Sequence, residues 1–215
     1  MKIMKKILFI LAILGVMASA TAYAQDKPLS KALQKELKAK KKEFKKKGFE
    51  LFGTSRTMDV VLMKYLQALE EGGDDVVEMI GYATAKSKGL LVTAAENNAR
   101  QRYATMVNAQ IKGQIKSNPI GNSANFNEEI DKFEAIFLTK VEGELKGVLK
   151  PSFSVIKTDP VTGVSELETY FIINEAAAGQ ARVAAAESAA REASINAATA
   201  EALKQAAKNR VNTQE

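Results

Sequence analysis

Seven lysines fall within ten positions: Lys38, Lys40, Lys41, Lys42, Lys45, Lys46 and Lys47. Amines at that density attract polyanions such as lipid phosphates, teichoic or capsular polymers and nucleic acid, through contacts that weaken as salt rises. The same run also suits a plain solvated helix face. Carboxylates cluster elsewhere. Glu70, Glu71, Asp74 and Asp75 surround Gly72-Gly73 and could ligate a hard cation such as calcium, but they lack the alternating oxygen ligands of an EF-hand loop and read as an acidic turn. Glu128 with Glu129, or Glu142 with Glu144, could be imagined as the acid and nucleophile of a glycosidase. That chemistry needs carboxylates ~5–9 Å apart across a sugar cleft. No tryptophan offers a sugar platform, and Glu128 and Glu129 also suit the first turn of a helix. The segment 83–89 precedes a helix and could rest an anion on its N-terminus, yet it lacks a phosphate loop's glycines and reads as a connector.

Composition closes further routes. The 215 residues include no histidine and no cysteine, so Ser-His-Asp and Cys-His nucleophiles, the usual zinc sites, haem ligation and iron–sulfur ligation are not available. An enzyme is not expected, and no cofactor is expected. Aromatic residues make up 7% of the chain and hydrophobic residues 46%.

Positions 1–24 have the three-part form of a secretory signal: Lys2, Lys5 and Lys6, an apolar run from 7 to 17, and small residues ending Ala22-Tyr23-Ala24. The apolar run is about half the ~20 residues a membrane span requires. No transmembrane span is expected, and the mature chain is expected to start at Gln25. Losing the leader removes three of the 31 basic residues and none of the 25 acidic ones, lowering the net charge from +6 to +3. The remaining basicity is local: residues 27–47 hold ten lysines against Glu36 and Glu43, whereas 48–215 carry 18 basic and 22 acidic residues. The pattern predicts four parts: a signal peptide at 1–24, a basic helical arm at 25–47, an α+β core at 48–175, and an alanine-rich helix and tail at 176–215. Export places the product in the periplasm, at the outer membrane or outside the cell, and takes it away from nucleic acid.

Several elements are needed to hold these groups. Leu33, Leu37 and Phe44 give the lysine-rich helix a narrow stripe that should pack weakly. Residues 49–52 read as a connector or edge strand. Thr54, Ser55 and Thr57 offer caps for a helix carrying Met58, Val61, Leu62, Tyr65, Leu66 and Leu69, which Gly72-Gly73 stops. Residues 76–85 read as a strand with Val77, Met79, Gly81 and Ala83 on one face. A helix over 90–116 places Ala95, Ala99, Tyr103, Val107, Ile111 and Ile115 on a core stripe. After a loop at 117–123, a helix over 127–146 aligns Ile130, Phe133, Phe137, Val141 and Leu145 and should pair antiparallel with it. Strands at 148–157 and 165–174 flank the turn residues Asp159-Pro160-Val161-Thr162-Gly163, predicting a hairpin with Phe153 and Val155 on one face and Leu167, Thr169, Phe171 and Ile173 on one face of the second strand. Sixteen alanines between 176 and 207 predict one helix of ~30 residues, ~45 Å long, whose second half projects or pairs with a partner.

The order of strand, alanine-studded helix with Ala94-Ala95-Glu96-Asn97-Asn98-Ala99, second helix, hairpin and alanine-rich helix resembles the bacterial envelope lipoproteins typified by a twenty-kilodalton surface lipoprotein. It is also similar to the N-terminal domain of the flagellar T-ring protein. The runs Gly53-Thr54-Ser55-Arg56-Thr57-Met58-Asp59, Glu78-Met79-Ile80-Gly81 and Tyr170-Phe171-Ile172-Ile173-Asn174-Glu175 resemble a group of uncharacterised exported proteins of gut-type anaerobes. These resemblances imply a compact α+β domain that serves as an envelope interaction module, with no catalytic residues to carry over. The chain departs from the lipoproteins in lacking a cysteine for a lipid anchor.

Together these readings predict an α+β fold, a small antiparallel sheet with a hairpin packed by long helices, plus N-terminal lysine-rich and C-terminal alanine-rich helices. The function they point to is an exported, non-enzymatic envelope protein. Its partner would be another envelope protein, an anionic glycan or lipid surface met by the seven lysines, or a second copy of the chain through the C-terminal helix. The alternatives are a carrier holding a small apolar or anionic ligand between helices and sheet, and, behind it, a carboxylate-dependent glycan hydrolase.

Overall fold

In the computed structural model, residues 30–117 and 126–211 are described. The expected leader at 1–24, the start of the basic arm, nearly all of the 117–123 loop and the last residues of the tail lie outside the described residues. Ten elements follow in order: α1 (Lys31–Lys47), β1 (Glu50–Phe52), α2 (Met58–Gly72), β2 (Val76–Ala85), α3 (Lys88–Ser117), α4 (Phe126–Glu144), β3 (Pro151–Thr158), β4 (Ser165–Asn174), α5 (Glu175–Glu192) and α6 (Ala197–Lys208). The fold is α+β, with one antiparallel sheet ordered β1-β3-β4-β2.

Local chemistry accounts for most boundaries. Thr57 caps α2 by accepting from the backbone N–H of Val60. Gly73, at φ 46°, ends the helix where a side chain would be strained. The β3–β4 turn is an Asx turn: Asp159 Oδ1 accepts from the N–H groups of Val161 (2.7 Å) and Thr162 (3.2 Å). Those bonds hold the Asp159 carboxyl below its usual range.

Strand β4 is buried on both faces. Leu167, Phe171 and Ile173 point to one side, with Val77 and Met79 of β2, and meet α3 and α5. Tyr170 points to the other side with Phe153 and Val155 of β3, and meets α1 and α2. The sheet is therefore the middle of three layers. On the α3 side, α3 sits directly on β2 and β4, and α4 packs against α3 and α5 as a further helix. The closest approach is at Gly81, where a Cβ would lie 2.0 Å from the carbonyl oxygen of Ala95. Only a glycine lets the helix backbone come so near the strand.

The alanine-rich segment is a helical hairpin, which corrects the expected single projecting helix. Ser194 adopts φ 55°, and the N–H of Ile195 donates to Ala190 O at 3.0 Å, closing α5 with a left-handed cap. Asn196 then caps α6, accepting from Thr199 N–H at 3.0 Å. The return lets Ala202, Leu203, Ala206 and Ala207 bury against the same core as Ala178, Ala185 and Ala189. Alanine propensity carries both helices, but area burial decides their arrangement: a projecting half would leave Leu203 in water.

Arg182 lies at the heart of this layer with 1% of its surface exposed. Its guanidinium donates to both carboxylate oxygens of Glu175 (3.1 and 3.0 Å), to the carbonyls of Ala207 (3.0 Å) and Asn209 (3.1 Å), and to the hydroxyl of Tyr103. Tyr103 in turn donates to Glu175 Oε1 at 3.2 Å, and burial pushes its own pKa well up.

Candidate basic interaction face

The candidate face begins with the anchoring of α1. Phe44 is buried and meets Phe49, Phe153 and Tyr170 edge-on, with ring centroids 5.8–6.3 Å apart. Phe153 stacks on Tyr170 at 4.5 Å, and Tyr65 of α2 meets both rings edge-on. Such aromatic pairs contribute beyond the area they bury. Leu33 and Leu37 pack against the same cluster. The lysine-rich helix, expected to pack weakly, is thus a seated part of the second core.

Seating splits the seven lysines. Lys40 turns inward, its Nζ 5.6 Å from the Tyr170 ring centroid, 6.0 Å from that of Tyr65 and 3.7 Å from Glu78 Oε1. Tyr65 donates its hydroxyl proton to the same Glu78 oxygen, and burial first, then that carboxylate, raises its pKa far above the ordinary value. Lys41 reaches across to Asp59 of α2 at 2.5 Å. Lys47 pairs back to Glu43 at 2.5 Å, which lowers the Glu43 pKa and raises its own. Lys38, Lys42, Lys45 and Lys46 are exposed and make no ion pair with the described residues.

Two lysines outside the seven join this outward set. Lys31 and Lys35 are also exposed and without an ion pair among the described residues. At 100° per residue, Lys31, Lys35, Lys38, Lys42, Lys45 and Lys46 fall within about 100° of arc, opposite the Leu33, Leu37 and Phe44 stripe. The alternating steps of three and four between 31 and 45 carried that signal; reading the lysines as one dense run missed it. From Lys31 to Lys45 the row is about 21 Å long. Glu36 and Glu43 lie on the flank of the helix, so no carboxylate of α1 interrupts the row.

Three of the carboxylates weighed in the sequence have partners of their own. Asp75 accepts from Arg210 at 2.6 Å, Glu128 pairs with Lys132 at 2.7 Å, and Glu129 accepts from Asn196 at 2.7 Å. Among the described residues no three carboxylates gather where they could hold a metal ion. No described helix is long and apolar enough to cross a membrane. No protein-family model, curated protein or solved structure matches the chain.

Proposed function

We propose that the chain is an exported, non-enzymatic envelope protein that works by association, laying the outward lysine row of α1 on an anionic surface of lipid headgroups or acidic glycan. The observation that carries this reading is the division of the lysines. Lys40, Lys41 and Lys47 are paired with Glu78, Asp59 and Glu43, whereas Lys38, Lys42, Lys45 and Lys46 meet no carboxylate among the described residues. A folded core fixes the orientation of the helix, so the charges need no ordering when they meet a surface. The mildly acidic remainder of the chain disfavours approach by other faces. The leader-like pattern at 1–24 supports export, and the absence of histidine and cysteine supports a role outside catalysis.

Co-sedimentation of the chain lacking residues 1–24 with vesicles of anionic and of neutral lipid, and with acidic wall polymer, tests this. Binding to an anionic surface that fades with added salt and is lost when Lys38, Lys42 and Lys45 are replaced by glutamine is the expected result. Binding indifferent to charge or salt would remove the reading. Deleting α1 would also take Phe44 out of the core, so substitution is the cleaner perturbation.

A further inference from the structure

A cleft of 410 Å3 opens between α2 and the β1–β3 end of the sheet. It exists because β1 is short: it pairs only with Ser154, Val155 and Ile156, and Gly53, at φ 73°, turns the chain away before the start of β3 is covered. The floor is apolar, formed by Val61 and Tyr65 of α2, Phe153 of β3 and Ile172 of β4. The rim is polar and carries one sign of charge. Arg56 and Lys64 line it with Thr54 and Ser152, and no aspartate or glutamate does. Neither cation has an ion pair among the described residues, and both are exposed.

A second groove, along α5, gives the contrast. It places Lys208 and Arg210 beside Asp75, Glu175 and Glu187, and Arg210 is already paired with Asp75 at 2.6 Å. That groove neutralises itself, whereas the α2 cleft offers two uncommitted cations above aromatic and aliphatic side chains. Its volume lies in the range of small-molecule sites, which typically join an apolar lining to a few placed polar groups.

We propose that this cleft binds a small amphipathic anion, a carboxylate on an alkyl or aryl body. Arg56 receives the carboxylate through its planar fork of N–H donors and Lys64 adds a second charge. The body of the ligand lies against Val61, Tyr65, Phe153 and Ile172. The site is independent of the α1 row and stands if that surface proves idle.

Amide-resolved NMR of isotope-labelled protein, titrated with sodium octanoate and separately with sodium naphthoate, tests the assignment. Saturable shifts at Gly53, Arg56, Lys64 and Ser152 are expected with one or both probes. Replacing Arg56 and Lys64 together by glutamine should weaken the binding about tenfold or more, since charged hydrogen bonds are lost, while Lys132→Gln, on α4, should leave it unchanged. Uncharged octanol should compete poorly. No saturable shift with either carboxylate, shifts confined to the lysines of α1, equal affinity in the double variant, or displacement by octanol at the same concentration would each overturn the proposal.

Discussion

Arg182 and Glu175 meet through two hydrogen bonds of 3.1 and 3.0 Å with both side chains almost wholly withdrawn from water. All five guanidinium N–H groups find acceptors, which is the condition under which a buried ion pair offsets its desolvation. Removing one partner strands the other's charge. Arg182→Met should cost about 3–5 kcal/mol. Replacing both residues with apolar side chains should cost much less than the single change. Equilibrium denaturation of the two variants checks the order, and a milder effect from the single change would contradict it.

Gly81→Ala should be among the most damaging small substitutions. Its Cβ would sit 2.0 Å from a backbone oxygen, so α3 must lift off the strand rather than a side chain step aside. A loss of about 2–3 kcal/mol is expected from overpacking, read as a lower unfolding midpoint. A midpoint equal to that of the parent would mean that α3 does not pack as described.

At Ser194 the backbone is left-handed, which costs a residue with a Cβ about 1–2 kcal/mol. Ser194→Gly is therefore expected to be neutral or up to about 1 kcal/mol more stable, the gain being trimmed by the freer unfolded chain. Ser194→Val should be less stable. Thermal melts of the pair give the sign directly.

Charge reversal of Lys38, Lys42 and Lys45 to glutamate should leave the unfolding midpoint nearly unchanged, because none of the three has an ion pair to lose among the described residues. Their association with anionic vesicles should vanish. Lys41→Gln, which gives up the bond to Asp59, should retain most of that association. A binding loss equal in both variants would point to overall charge in place of the outward row.

Glu134 carries a pH signature. The bond from Lys112 at 2.5 Å, opposed by partial burial and aided by the amide of Asn108 at 2.6 Å, lowers its pKa below the ordinary 4.5. A carboxylate with a depressed folded pKa contributes stability that is complete above its unfolded value and lost as pH falls through the folded one. Urea midpoints should therefore drop below about pH 4.5, and Glu134→Gln should lower the neutral midpoint while flattening that acid fall. An unchanged acid slope in the variant would show that Glu134 is not coupled to folding.

What could be read from the residues follows from how strongly each segment repeats. Ala95, Ala99, Tyr103, Val107, Ile111 and Ile115 repeat every four positions, and all are buried. The hairpin was legible because strand residues flank an aspartate–proline–glycine turn. The seat of α1 was not, since Phe44 is the one large apolar residue fully buried on a helix otherwise dominated by lysine. A signal nevertheless existed at Tyr170-Phe171-Ile172-Ile173, an unbroken apolar run that marks a strand covered on both faces, and so calls for helices on each side. The break at Ser194 was hidden by alanine propensity, although Asn196 followed three residues later by Thr199 has the form of a helix start. In the candidate face, the dense lysine run was plain. Which of its amines point outward depends on where Phe44 docks, and that is a tertiary fact.

Strand β4 supplies side chains to both cores, yet it is made after three of the four helices it must seat beside its faces. Until residues 165–174 are present, the cluster under α1 and α2 lacks Tyr170 and rests on Phe49 with Phe153 and Val155 of β3, while α3 lacks Leu167 and Phe171 and rests on β2 and Ile156. The topology is expected to postpone consolidation: β4 pairs with β2 across the intervening α3, α4 and β3, so the sheet is complete only when that one long loop closes. Loss of β4 is therefore expected to unseat the helices on both faces of the sheet at once.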